Sequence, residues 1–137
     1  MPYKITFVVD TFSGVSDRAV SHQDLQILLE ALTAIDVKWL LAHPETPNLY
    51  ESGIRYEEEP LGEENWLDIP TALKQRRHVD CEDLSCWRAA ELRVRHGIDA
   101  HATFIRKNMP SGSSLYHIQV RYPDGRIEDP SRILGMK

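Results

Sequence analysis

The sequence predicts an α+β fold, helices first and an antiparallel sheet after them, and three observations lead to it. Apolar residues recur at helical spacing through Leu25, Leu28, Leu29, Leu32, Trp39 and Leu40, and again through Leu84, Trp87, Ala90 and Val94. After Gly97 the pattern changes to period two, over Ile98 to Arg106, Ser114 to Tyr122 and Arg126 to Asp129. The loop Asn108 to Ser113 and the turn Pro123-Asp124-Gly125 that separate these runs are short, so consecutive strands pair as a meander. A chain of 137 residues, 42% of them hydrophobic, suffices for one core, and a single domain spanning 1–137 is expected.

The elements follow in order. Tyr3 to Val9 is rich in β-branched and aromatic residues and reads as a strand closed by the polar turn around Ser13 and Gly14. Ser21, with Asp24 three residues on, is placed to cap the first helix, and Pro44 ends it because proline disfavours helix in the residue before it. Residues 44–65 read as loop, broken by Pro44, Pro47, Gly53, Pro60 and Gly62, with Gly53-Ile54-Arg55-Tyr56 able to pair as a short edge strand. A short helix runs from Asp68 or Ile69 to Arg76, with Asp68 as cap and Pro70 tolerated in its first turn. The longer helix begins near Cys81, and Gly97 sits where a left-handed C-terminal cap is wanted.

Charge and composition exclude several classes of function. The formal net charge is −5, with acids concentrated in Glu57, Glu58, Glu59, Glu63 and Glu64, so no broad basic field exists to hold nucleic acid. The run Lys74, Gln75, Arg76, Arg77 reads as a solvated helix end favoured by the macrodipole. Two cysteines, Cys81 and Cys86, are too few for a disulfide scaffold, and both are expected to be reduced. The N-terminal MPYKITFVVD lacks the pattern of a signal peptide, and no stretch is apolar enough to span a membrane. A cytoplasmic protein with no membrane partner is expected; oligomeric state is not written in the sequence.

The stretch His78-Val79-Asp80-Cys81-Glu82-Asp83 carries the strongest chemical signal. A thiol at a helix N-terminus meets unpaired amide donors and the positive end of the dipole, both of which favour thiolate. The neighbouring Asp80, Glu82 and Asp83 push the other way, so a cationic partner is needed. His117 is the best placed of six histidines, because it lies within a strand and Asp129 follows across the next turn. If Tyr122 to Arg126 forms a three-residue turn with Gly125 left-handed, Gln119 pairs with Asp129, and His117, Gln119 and Asp129 share one face. A two-residue Asp124-Gly125 turn would put Asp129 opposite Val120 on the wrong face. Pro123 at the second turn position favours the former.

Each residue also has a plainer reading. A small thiol is common in cores, and a strand face carrying His117, Gln119 and Arg121 is often solvated. Trp39 and Trp87 fall at apolar helical positions and read as core, Cys86 as a buried small side chain, and His22, His43, His96 and His101 as solvated or capping groups. His78, Asp80, Cys81, Asp83, Cys86 and His117 are metal-ligand types, but the spacing of the two cysteines does not suit a zinc site, and neither metal nor cofactor is expected.

Trp66-Leu67-Asp68-Ile69-Pro70, then His78 to Leu84, then a helix running to Leu92 and Gly97-Ile98 resembles the bacterial transglutaminase-like, papain-type cysteine peptidases. Tyr116 to Val120, Pro123-Asp124-Gly125 and Glu128-Asp129-Pro130-Ser131 resemble that family's histidine strand, turn and aspartate. The likeness covers roughly Trp66 to Ser131, about half the chain, and rests on the ordered combination of motifs. Val79 stands where the family often has glycine, and the first 60 or so residues share only a general likeness to small phage or prophage proteins. The resemblance implies a papain-like core whose nucleophile helix packs on the C-terminal sheet, with Cys81 as nucleophile, His117 as base and Asp129 as its orienting acid. It also implies an oxyanion site at the Cys81 amide, with Gln75 or Trp66 as further candidates, and a peptide or isopeptide substrate. The alternative is a binding or phage-assembly module that keeps the fold without turnover.

Overall fold

A computed structural model of the chain describes residues 18–60, 65–108 and 114–137. The expected strand Tyr3 to Val9 and the turn after it lie outside the described residues. Within them the order is helix α1 (Arg18–Ala42), a 3-10 turn at Leu49–Glu51, α2 (Ile69–Gln75), α3 (Cys81–His96), β1 (His101–Asn108), β2 (Ser114–Arg121), β3 (Ile127–Glu128) and α4 (Pro130–Ile133). The strands form one antiparallel sheet in the order β1-β2-β3. Helix and sheet are thus mixed as an α+β layout requires.

Helix α3 lies at the centre. It packs on α1 on one side and on β2 on the other, and residues from Glu82 to Trp87 and from Ala89 to Leu92 are all buried. Its start and stop are chemically marked: Asp80 and Asp83 form a capping box, and Gly97 takes φ 63° as the left-handed cap, with Ile98 N–H returning to the Leu92 carbonyl at 3.0 Å. One part of the core joins Leu40, Leu49, Ile54, Ile69, Leu84 and Trp87. A second, between α1, α3 and the sheet, joins Leu29, Leu32, Cys86, Ala102 and Ile118. Ile118, Val120 and Tyr122 are all buried on one side of β2, the face that alternation assigns them.

Asp68 caps α2 as expected, accepting the Thr71 amide at 3.1 Å, with Pro70 in the first turn. Four details differ from the sequence reading. Helix α1 is already formed at Arg18, so Ser21 lies inside it rather than at its cap. Gly53 to Tyr56 does not join the sheet; the chain there is held by Tyr56 N–H to the Leu134 carbonyl at 3.0 Å, and Glu57 N–H bonds the Val79 carbonyl at 3.0 Å. Strand β1 starts at His101 and not Ile98, because Ile98 to Ala100 is used in closing the end of α3. Helix α4, with Asp129 as its cap and Pro130 in its first turn, had its own sequence signal in Asp-Pro-Ser.

Candidate active site

The turn between β2 and β3 decides where Asp129 goes. Gly125 N–H bonds the Tyr122 carbonyl at 2.9 Å, Tyr122 N–H bonds the Arg126 carbonyl at 2.8 Å, and Gly125 takes φ 89°. This is the three-residue turn with a left-handed glycine. It sets Arg121 opposite Ile127 and Val120 opposite Glu128. Asp129 therefore falls on the face of His117 and Gln119, the diagonal placement that the register argument required. His117 Nε2 lies 2.8 Å from Asp129 Oδ2, and Gln119 Nε2 donates to the same oxygen at 3.3 Å. The other oxygen, Oδ1, accepts the Arg132 amide at 3.3 Å and caps α4.

His117 is buried rather than solvated, with only 8% of its surface exposed. Burial pushes the Asp129 carboxyl up, but the bonds from His117 and Gln119, the His117 charge and the Arg132 amide together hold it below the usual carboxylate range. An ionised Asp129 accepts and does not donate. In the neutral ring Nε2 must then carry the proton, which leaves Nδ1 as the basic nitrogen.

Cys81 opens α3 next to β2. Ser85, one turn later, donates to the Ile118 carbonyl at 3.2 Å, and a backbone hydrogen bond from Ile118 reaches Cys81 itself. The thiol thus lies beside the strand at the residue that follows His117. Trp66 packs into the same apolar cluster as Cys81, together with Leu25 and Phe104. Gln75 does not come there: its side chain is exposed and donates to the Arg77 carbonyl at 2.5 Å, closing the end of α2.

The electrostatics of the thiol are set by its flanks. Burial, then the Glu82 charge, push the Cys81 thiol well up; the Ile118 bond pulls against them, and Asp80 adds to the push. Cys81 Sγ lies 3.5 Å from Glu82 Oε2. Glu82 is itself buried and pushed up to about 11 by desolvation, its hydrogen bond to Asp80 and the charges of Asp83 and Asp80. Both shifts favour the protonated forms, Glu82 as the acid and Cys81 as the thiol.

Asp83 has a separate task, since Oδ1 accepts the Leu67 amide at 2.7 Å and Oδ2 the Asp80 amide at 3.1 Å. It ties the Trp66-Leu67 segment to the thiol helix. One oxygen each of Glu59, Asp80, Glu82 and Asp83 lie within 4.8 Å of one another, a grouping that suits a hard cation better than zinc. Both Asp83 oxygens already accept amides there, one bond to each.

The raised Glu82 carboxyl has a consequence for stability. The folded chain binds that proton more tightly than the unfolded chain, so its contribution is full below the ordinary Glu range and falls as pH rises toward 11. Thermal melts in chelator-containing buffers from about pH 5 to 9 should show wild type losing melting temperature with pH more steeply than Glu82→Gln. Parallel slopes would contradict a protonated Glu82.

Comparison of the chain with family models, with curated proteins and with solved structures finds no match.

Proposed function

We propose that the chain is a thiol-dependent amide hydrolase or acyltransferase with a papain- or transglutaminase-like core, acting as a cysteine peptidase on peptide or isopeptide bonds in the cytoplasm, and of phage or prophage kinship. The observation that supports it most is the 2.8 Å contact between His117 Nε2 and a carboxylate held ionised, which leaves Nδ1 basic. In this reading the Cys81 sulfur attacks the amide carbonyl while its proton passes to His117 Nδ1, forming the C–S bond. The imidazolium then protonates the departing amine as the C–N bond breaks, leaving a thioester on Cys81. Water or an amine releases the acyl group, giving its proton to the same nitrogen. The Cys81 backbone amide lies in the first turn of α3, where N–H groups lack intrahelical acceptors, and faces the developing oxyanion. Trp66, which packs against the same apolar cluster as Cys81, is the further candidate for a contact to substrate in this reading.

With burial and the neighbouring acids holding the Cys81 proton, this reading has proton transfer accompany attack rather than precede it. A simple alkylating agent such as iodoacetamide should label Cys81 slowly at neutral pH and faster only at alkaline pH. A peptide aldehyde or vinyl sulfone, which presents a carbonyl or an activated alkene to the site, should give an adduct by intact mass in wild type and none in Cys81→Ala. Absence of a Cys81-dependent adduct across a varied probe set would end the peptidase reading. It would leave the second one, a non-catalytic binding or phage-assembly module, which the burial of the thiol and its acidic neighbours favour.

A further inference from the structure

Strand β3 is two residues long, and its ladder reaches only Val120 and Arg121. Such a strand is weakly held by backbone bonds alone, yet it must deliver Asp129 to within hydrogen-bond distance of His117. The residue before Asp129 carries an unusual density of contacts. Glu128 Oε2 accepts Arg88 Nε at 2.7 Å and the Tyr50 hydroxyl at 2.5 Å, and Oε1 accepts the Tyr122 hydroxyl at 2.6 Å. Arg88 in turn reaches Glu91 Oε2 at 3.3 Å and lies over the Tyr50 ring at 5.0 Å. Glu91, fully buried, accepts the Leu49 amide. The 3-10 turn, α3, the end of β2 and β3 are joined in one polar network.

Side chains alternate along a strand, so Glu128 and Asp129 leave β3 on opposite faces. Glu128 shares the face of its partner Val120, toward α3, and Asp129 the face of His117. Fixing the first from one side aims the second toward the other, and a slip of one residue would exchange them. We propose that Glu128, clamped by Arg88, Tyr50 and Tyr122, is the positioning residue that fixes Asp129 on His117 and so sets the tautomer of the base. This rests on the triad reading of the site. Charge-assisted bonds give the clamp its strength, since both Arg88 and Glu128 keep only a minor part of their side chains in water.

The test reads the ring directly. In wild type, the His117 Nε2 proton, donated to a buried carboxylate, should exchange slowly with water and give a resolved imidazole N–H signal in 15N–1H spectra, assigned by its loss in His117→Gln. Glu128→Ala should lose that signal while far-UV circular dichroism stays that of the folded chain. If Glu128→Ala does not fold, the double variant Tyr50→Phe with Tyr122→Phe decides, because it removes two of the donors and leaves the carboxylate and Arg88. Arg88→Met should lose the signal and Arg88→Lys, which restores a cation, should keep it. Retention of an unshifted signal in folded Glu128→Ala or in the double tyrosine variant overturns the proposal. Recording the same spectra in a Cys81→Ala background makes the outcome independent of whether the thiol acylates.

Discussion

Asp129→Asn should slow acylation of Cys81 by about a thousandfold or more while leaving the fold almost as stable, judged against the roughly 10⁴-fold loss known when the orienting acid of a catalytic triad becomes an amide. The Asp129 Oδ2 carboxylate accepts from His117 Nε2 at 2.8 Å and thereby leaves Nδ1 unprotonated. With the Asn oxygen kept on the Arg132 N–H, its nitrogen falls at the place of Oδ2 and donates to Nε2, which moves the ring proton to Nδ1 and removes the base from the side that needs it. The negative charge that stabilises the imidazolium goes as well. Stability should change little, because Asn serves as well as Asp at the helix N-cap and the Arg132 amide keeps its acceptor. The measurement pairs the rate of probe attachment by mass spectrometry with a urea denaturation curve. A variant that labels as fast as wild type would sink the triad assignment even if Cys81 proved reactive.

The largest effect on stability is expected from Asp83→Ala. Two amides, those of Leu67 and Asp80, lose their acceptor together, and the site is buried, so water cannot replace it. An unsatisfied buried amide costs about 1–3 kcal/mol, which gives roughly 2–6 kcal/mol for the pair. Domains of this size are stable by only about 5–15 kcal/mol, so the variant should unfold at a much lower urea concentration and at a lower temperature. Asp83→Asn, which keeps a carbonyl for one of the amides, should fall between. A shift in Asp83→Ala worth less than about 1 kcal/mol would mean that the tie between the Trp66-Leu67 segment and α3 is not structural.

These two acids illustrate what a sequence yields and what it hides. The extent of helix α3 was legible, since its apolar spacing starts near Cys81 and Gly97 closes it, whereas the Asp80–Asp83 capping box around its first turn was not read. The place of Asp129 was legible through the Pro123-Asp124-Gly125 turn, because turn length fixes register and register fixes face. The start of α1 was not, because Ser21 is an acceptable cap that the helix simply runs past. Gln75 failed as an oxyanion contact for a similar reason: what it touches depends on the end of α2, where its amide finds the Arg77 carbonyl. The Arg88-Glu128-Tyr50-Tyr122 network was invisible, as its members come from four separate segments and share no spacing. The protonation of Glu82 was equally hidden, because it follows from burial, which pattern alone does not measure.

The double engagement of Asp129 has a bearing on how the site would come apart. One carboxylate begins α4 with Oδ1 and meets the His117 ring with Oδ2, so the start of a helix and the imidazole contact share a single side chain. Fraying of α4 and loosening of the ring are then one event rather than two, since a local opening that carries Asp129 away with the Pro130–Ile133 turn releases the histidine as well.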